Sequence, residues 1–457
     1  MKTVVIVGGG ITGLAAAWYL TTADDAPAVT VLEAGDRFGG KIRTEPFAGV
    51  PVEAGPDTVL ARVPWGLDLL HDLGLDADVV APATGRAFVW AQGKLRPLPD
   101  GLVLGVPADI GPLAASGILS PMGLARAGLD LVLPRRDRGP DPTIADVIGG
   151  RFGKEALDRL VDPLLSGINA GRADHLSLAA TAPDVAAVAA TSRSLLLGLR
   201  ARRGAHPPDP SQPVFASVRG GLGRLVERLT EALTERGVDL RTDAPVTDLD
   251  GLRRDVDAVV LTIPAHVAAP LVAPHSPAAG AELAAINHAS VAVVTFAYPD
   301  GAVAHPLDGS GFLVPRSHGW LLTAGTFVSS KWPALKPEGQ VLLRASAGRA
   351  GDDRVVRLSD DELAAALHHE LAIALGIIGE PAGVRVDRWP RSFPQYDAGH
   401  QARVARIEAA LADDLPGVLV AGAPYRGVGI ASCIRQAREV ATAVLGDQAV
   451  GSAAKHT

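Results

Sequence analysis

The chain opens on an unbroken apolar run, TVVIV at residues 3 to 7, in which no polar position alternates with the apolar ones. A strand with both faces covered in a parallel sheet has this pattern. The run predicts such a strand, a glycine turn through Gly8, Gly9, Gly10 and Gly13, and then an apolar helix continuing as LAAAWYL. A second strand, AVTVLEA at residues 28 to 34, ends with Glu33 and Ala34. Far along the chain, residues 213 to 249 predict a glycine-rich entry, an amphipathic helix and a strand. Leu222, Leu225, Val226, Leu229 and Leu233 there recur at helical spacing. Residues 415 to 445 predict a buried strand (VLVAG), a glycine-rich loop and a closing helix that begins near Gly429.

The remaining sequence is of two kinds. Residues from about 76 to 205 are rich in Leu, Ala and Gly with helical periodicity. Asp141–Pro142–Thr143 offers a helix start there, and Pro163 interrupts or ends a helix. Residues from about 285 to 350 predict strands instead: SVAVVTFAYP, GFLVPR, GWLLTAGTFVSS and QVLLRASAG, parted by turns such as DGSG and RSHG. The expected class is α/β. A Rossmann-like domain is assembled from discontinuous segments (1–75, 206–275 and 380–457), with a helical lobe (76–205) and an antiparallel sheet (276–379).

Composition narrows the classes. A length of 457 residues leaves room for an enclosed cavity, and a net charge of −7 excludes a nucleic-acid footprint. No charge-free apolar run reaches the length of a membrane span, and no secretory signal is expected at the N-terminus. The expected compartment is the cytoplasm. In the apolar stretch 102–134, Asp109, Arg126 and Asp130 forbid spanning, whereas Arg135, Arg136 and Arg138 leave peripheral contact with the inner membrane face open. The single cysteine, Cys433, excludes internal disulfides and thiolate metal clusters, and no metal is expected. The twelve histidines are scattered, and the pair His368 and His369 is expected on the surface.

The chemistry begins at the glycine turn. Gly8 permits the tight turn, Gly10 lets the backbone approach a pyrophosphate, and Gly13 lets the helix pack on the strand. The helix N-terminal amides, around Ile11 and Thr12, face that pyrophosphate. Glu33 lies twenty residues past Gly13, where a carboxylate accepts ribose hydroxyls. NAD and FAD both satisfy these demands. The next stretch, GDRFGGKIRT at residues 35 to 44, decides between them. Its Arg37, Gly39, Gly40 and Lys41 resemble the R-x-G-G-[KR] turn of the FAD-dependent amine oxidase and desaturase superfamily. The resemblance implies that Val246 offers a backbone contact to the adenine. It also implies that the closing-helix N-terminus faces the flavin pyrimidine edge, where reduced flavin carries negative charge. Cys433 falls inside that helix, so non-covalent FAD is expected.

GSGFLVPRSHGWLLTAGTFVSSKWP, residues 309 to 333, is similar to the protoporphyrinogen and coproporphyrinogen oxidases. VEAGPDTVLAR (52–62), SGINAGRADHLS (166–177) and RWPRSFPQYDAGH (388–400) agree in colinear order. This resemblance implies that Gly55, Pro56, Asp57 and Thr58 lie along the flavin, with Trp389 and Val428, Gly429 and Ile430 at its other edges. It implies a six-electron oxidation of a porphyrinogen by oxygen, with coproporphyrinogen III favoured by likeness to the Gram-positive branch. No catalytic side chain is expected, because the cofactor carries the difficult step. Four substrate propionates call for cations, for which Arg62 is the first expectation and Arg172 and Lys331 the others. The region from Leu165 to Ile168 is expected to wall the ring. A haem-pathway enzyme is a further candidate partner. Three other readings stay open: protoporphyrinogen IX as the substrate, a different flavin amine oxidase or desaturase, and a non-catalytic porphyrin carrier.

Overall fold

The computed structural model describes residues 2–205 and 212–446. The boundary expected at 206 therefore lies outside the described residues.

The first strand, Thr3–Val7, shows why an unbroken apolar run was required. Val4 and Ile6 point to one hydrophobic cluster, and Val5 and Val7 point to another on the opposite face. The first cluster holds the helix Ile11–Thr21, the helix Gly223–Glu235 and the closing helix Ile430–Leu445. The second holds Ala265–Val272 and His400–Asp414. A strand clothed on both faces cannot carry polar positions without burying them unpaired.

This strand is the centre of a five-stranded parallel sheet. The order across it is Asp239–Arg241, Ala28–Leu32, Thr3–Val7, Ala258–Leu261, Val418–Val420. Val5 lies in register with Thr30 on one side and with Val259 on the other. Strands from the start, middle and end of the chain are thus hydrogen-bonded neighbours.

The second sheet has seven strands: Gly383–Pro394, His288–Pro299, Gln340–Ala347, Leu322–Phe327, Gly311–Leu313, Ala87–Ala91 and Lys94–Pro97. Its pairs are antiparallel except for Gly311–Leu313 beside Ala87–Ala91. Two of these strands fall inside the segment 76–205, and Gly383–Pro394 falls inside 380–457. The expected segment lines therefore do not follow the sheet, because strands of four and five residues leave little periodicity in a Leu- and Ala-rich stretch. One face of the sheet is covered by the helix Asp360–Leu375 through Leu363, Leu367, Leu371 and Leu375. Ser359 and Glu362 form a capping box at its start, and Gly376 at φ 64° closes it.

His368 lies on this helix against the sheet. It hydrogen-bonds the Tyr298 hydroxyl at 2.8 Å and stacks on that ring. Only His369 is exposed, so the expected surface pair is corrected to a single surface histidine. The packing demand of the sheet face turns its neighbour inward.

Against the seven-stranded sheet, at Val89 and Ala91, stands a lobe of short helices around a third cluster, which includes Phe152, Leu160, Leu165, Leu176 and Leu199. Pro163 occupies the first turn of Asp162–Asn169, where its missing N–H has no helical partner to lose. The chain before it is wound as a π turn, Leu157–Val161. At the predicted start near Thr143, Asp141 does not cap a helix. It accepts the Ser177 hydroxyl at 2.5 Å and the Gly399 amide at 2.6 Å, tying the lobe to the segment after the long strand. No helix among the described residues is long and apolar enough to cross a membrane.

Candidate functional site

Each glycine of the first turn has a distinct steric reason. Gly8 sits at φ 108°, and a Cβ there would lie 2.9 Å from both Ile263 and Thr262 side-chain atoms. A Cβ at Gly13 would run into the Gly8 carbonyl oxygen, so the helix lies directly on the turn. A Cβ at Gly10 would meet nothing within 4 Å. Gly10 is the N-cap of Ile11–Thr21, and no side chain caps that helix. Its first amides therefore point into open space framed by glycine.

The second glycine turn lies over the first. The Gly39 amide donates to the Gly9 carbonyl at 2.8 Å, and Gly40, at φ 57°, comes close to Gly10. Arg37 staples this turn, donating to the carbonyls of Phe38 at 3.0 Å, Ile42 at 3.1 Å and Gly40 at 2.5 Å. Its fork is thus spent on the protein. Lys41 is half-buried and makes no hydrogen bond or ion pair among the described residues, and burial lowers its pKa from the ordinary lysine value.

Glu33 accepts the Gly9 amide at 2.7 Å and the Gly35 amide at 2.9 Å, one on each carboxylate oxygen. Each oxygen keeps a further lone pair for a hydroxyl. Ala34 follows on the surface, and the backbone of Glu33 is clamped by Ala244. Val246 lies just beyond, in a loop rather than in the strand expected there, because that strand ends at Arg241.

The segment after the second turn faces the long strand of the antiparallel sheet. A Cβ at Gly55 would collide with the Lys41 carbonyl oxygen, and Trp389 donates its indole N–H to the Ala54 carbonyl at 2.7 Å. Gly55, Pro56, Asp57 and Thr58 therefore run between the glycine turns and Trp389. At the other end, Gly429 caps the closing helix without a side-chain bond, and again a Cβ would meet nothing within 4 Å. Val428, Gly429 and Ile430 form this second open N-terminus. The loop leading to it contacts the first helix, since a Cβ at Gly422 would be 3.2 Å from the Thr12 hydroxyl.

Cys433 is buried one turn into the closing helix, and burial raises its thiol pKa. Two glycine-framed helix N-termini, a carboxylate with spare lone pairs and one unpaired lysine fit a dinucleotide diphosphate and the electron-accepting edge of a flavin.

The expected propionate cations are placed less uniformly. Arg62 is exposed and without a partner among the described residues. Arg172 forks onto Asp174 at 2.9 and 2.6 Å, so its charge is compensated on the surface. Lys331 bonds Asp57 at 2.7 Å in a mostly buried pair. Burial alone would raise Asp57, but Lys331 and Arg344 outweigh it and hold the carboxyl down at about 2. Lys331 is thus the tether of the Gly55–Thr58 loop, and its expected role as an open cation is corrected. Ile168 is 43% exposed, whereas Leu165 is buried in the lobe core, so the expected wall narrows to the outer face of that helix.

Two features escaped the sequence reasoning. Glu53 is buried, accepting the Leu222 amide at 2.5 Å and the Thr44 hydroxyl at 2.9 Å, and burial raises it to about 7. His266 and His288 meet edge-to-face, with ring centroids 4.7 Å apart. Burial lowers both, His288 to about 4, and the nearby cations Lys41 and Arg391 add to that. Neither arrangement has a local signal, since the partners come from separate elements. A groove of about 550 Å³ runs along Val418–Val420, lined by Glu408, Tyr425 and Gln436 among others, and includes none of the cradle glycines.

Comparison with known proteins agrees with this geometry. Residues 11–445 match the family model described as flavin containing amine oxidoreductase. The chain belongs to that family. Coproporphyrinogen III oxidase of Bacillus subtilis (strain 168) is 38% identical over 96% of both chains. The protein of the same name from Staphylococcus aureus (strain NCTC 8325 / PS 47) is 32% identical over 98% of this chain and 99% of its own. Among solved structures, one from Exiguobacterium sp. 255-15 carries the provisional name protoporphyrinogen oxidase. It superposes with a TM-score of 0.85 at 33% identity, over 97% of this chain and 98% of its own. Like other members of the family, the chain is an FAD-dependent oxidoreductase.

Proposed function

We propose that this chain oxidises coproporphyrinogen III to coproporphyrin III in the cytoplasm, with oxygen as the final acceptor. The observation that carries the reading is a pair of open glycine N-termini, Gly10 and Gly429, from opposite ends of a chain colinear with coproporphyrinogen III oxidases, linked where the Gly422 loop reaches Thr12.

Bound FAD supplies a two-electron acceptor that oxygen can regenerate. The protein supplies position, charge and dryness. The amides after Gly10 and the second turn at Gly39 and Gly40 hold the diphosphate, with Lys41 adding the positive charge that the turn leaves unpaired. Glu33 takes the ribose hydroxyls, and the Val246 loop borders the adenine. Gly55–Thr58, fixed by Trp389 through the Ala54 carbonyl and by Lys331 through Asp57, would border the ring. The helix dipole at Val428–Ile430 favours negative charge at the edge it faces.

Six electrons and six hydrogens leave the macrocycle in three two-electron rounds, and three O2 become three H2O2. The pyrrole nitrogens conjugate with each reacting carbon, so their N–H protons leave without a protein base. Glu53 points away from this task, engaged by Leu222 and Thr44. Ile168 offers apolar contact to the ring and Arg62 an uncompensated cation for a propionate. The proposed division of labour is cofactor binding by 1–75, 206–275 and 380–457, with 76–205 and 276–379 enclosing the substrate. Brief contact with a neighbouring haem-pathway enzyme is part of the same proposal.

The name carried by the Exiguobacterium structure favours a second substrate, protoporphyrinogen IX. Anaerobic incubation with each porphyrinogen, followed by admission of air, separates the two. Porphyrin fluorescence and three peroxides per porphyrin from coproporphyrinogen III alone are expected. Turnover of protoporphyrinogen IX alone would reassign the substrate, and turnover of neither would overturn the proposal.

A further inference from the structure

A pocket of about 90 Å³ opens on the helical lobe, away from the cradle, and four of its lining residues are arginines: Arg126, Arg136, Arg138 and Arg151. Leu133, Pro134 and Gly150 complete the wall. Arg126 is fixed by two carbonyls, donating to Arg151 at 2.9 Å and to Gly150 at 2.8 Å. Arg151 is 8% exposed and donates to the Leu133 carbonyl at 3.4 Å. The Arg138 guanidinium lies close over Gly150, where a Cβ would displace it. Arg136 and Arg138 have no hydrogen-bond or ion-pair partner among the described residues.

The nearby carboxylates do not balance this charge. Asp130 is fully buried at 3.5 Å from Arg151, with its other oxygen given to Ser194 and the Leu196 amide. Asp137 accepts the Gly139 amide, Thr143 occupies Asp146, and Glu155 is held by Ser120 and Arg159. Four arginines therefore line one small pocket, and of the carboxylates just named Asp130 alone is paired with one of them, in a chain whose net charge is −7. Packing does not require such a cluster, and like charges repel unless an anion joins them. Guanidinium forks match tetrahedral oxyanions in shape and charge.

We propose that this pocket binds a phosphate group. Leu129, Leu131 and Val132 are exposed immediately before it in the chain, so a phospholipid headgroup and a free phosphate both suit the chemistry. The test uses FAD-loaded protein, so that the diphosphate cradle does not compete. Inorganic phosphate is titrated calorimetrically, and vesicles of phosphatidylglycerol or phosphatidylcholine are sedimented with the protein. Arg136→Ala/Arg138→Ala removes the two unpartnered side chains, and Arg200→Ala, exposed on the same lobe, is the control. Phosphate binding weakened at least about tenfold in the double variant, and unchanged in the control, supports the proposal. Phosphatidylglycerol vesicles that retain the wild type and release the double variant also support it and name the lipid source. No binding in either arm, or equal binding by wild type and double variant, overturns it.

Discussion

Gly10 and Gly13 lie three residues apart and make opposite demands. Gly13 is a packing glycine, so Gly13→Ala should cost about 1–3 kcal/mol of stability with or without FAD, read as a lowered Tm. Gly10 is a ligand glycine. Gly10→Ala should leave the stability of the FAD-free chain within about 1 kcal/mol of wild type and weaken FAD binding at least about tenfold. Equal loss of stability in both variants would contradict the assignment of the open side. The Asp57–Lys331 pair makes a second residue-scale prediction. Lys331→Met leaves the buried carboxylate with Arg344 alone to offset it and should cost up to about 3–5 kcal/mol, whereas Asp57→Asn/Lys331→Met should cost less than either single change.

Glu53 gives a pH signature. An acid whose folded pKa is raised keeps its proton in the folded state while the unfolded chain has lost it. Its contribution to stability therefore falls as pH rises from about 4.5 to about 7, by at most about 3 kcal/mol, and is level above that. Denaturant titrations at pH 5 and pH 8 should show Glu53→Gln losing less stability across this window than wild type.

At the scale of elements, the closing helix shows how function opposes local stability. Its N-cap carries no side-chain acceptor although the backbone is extended at φ −74° and ψ 155°, a geometry any residue adopts. Gly429→Asp should cap the helix and stabilise the FAD-free chain by about 0.5–1 kcal/mol, read as a raised Tm, while reducing FAD retention, since the carboxylate occupies the open N-terminus. A variant that is both more stable and equally well loaded would remove this helix from the site. Elements whose signal is local were legible: the TVVIV strand, the glycine turn, the five apolar positions from Leu222 to Leu233, and the cap at Gly429. Short strands such as Ala87–Ala91 were hidden, because five residues in an apolar stretch fit helix and strand alike. Lys331, His266, His288 and Glu53 were opaque for another reason. Their partners lie on other elements, and no periodicity records which distant residue completes a pair.

The whole molecule is organised by the parallel sheet. Its central strand comes from the N-terminus, its flanks from residues 28–32 and 258–261, and its outer strands from residues 239–241 and 418–420. The cradle therefore forms only when the full chain has folded, which binds cofactor loading to global stability. The most direct measurement of that dependence is equilibrium titration of the purified, FAD-stripped chain with FAD, followed by flavin fluorescence and Tm together. One FAD bound per chain, with a Tm that rises as FAD is added, is the predicted result. A folded chain that takes up no FAD, with a Tm indifferent to it, would contradict the account.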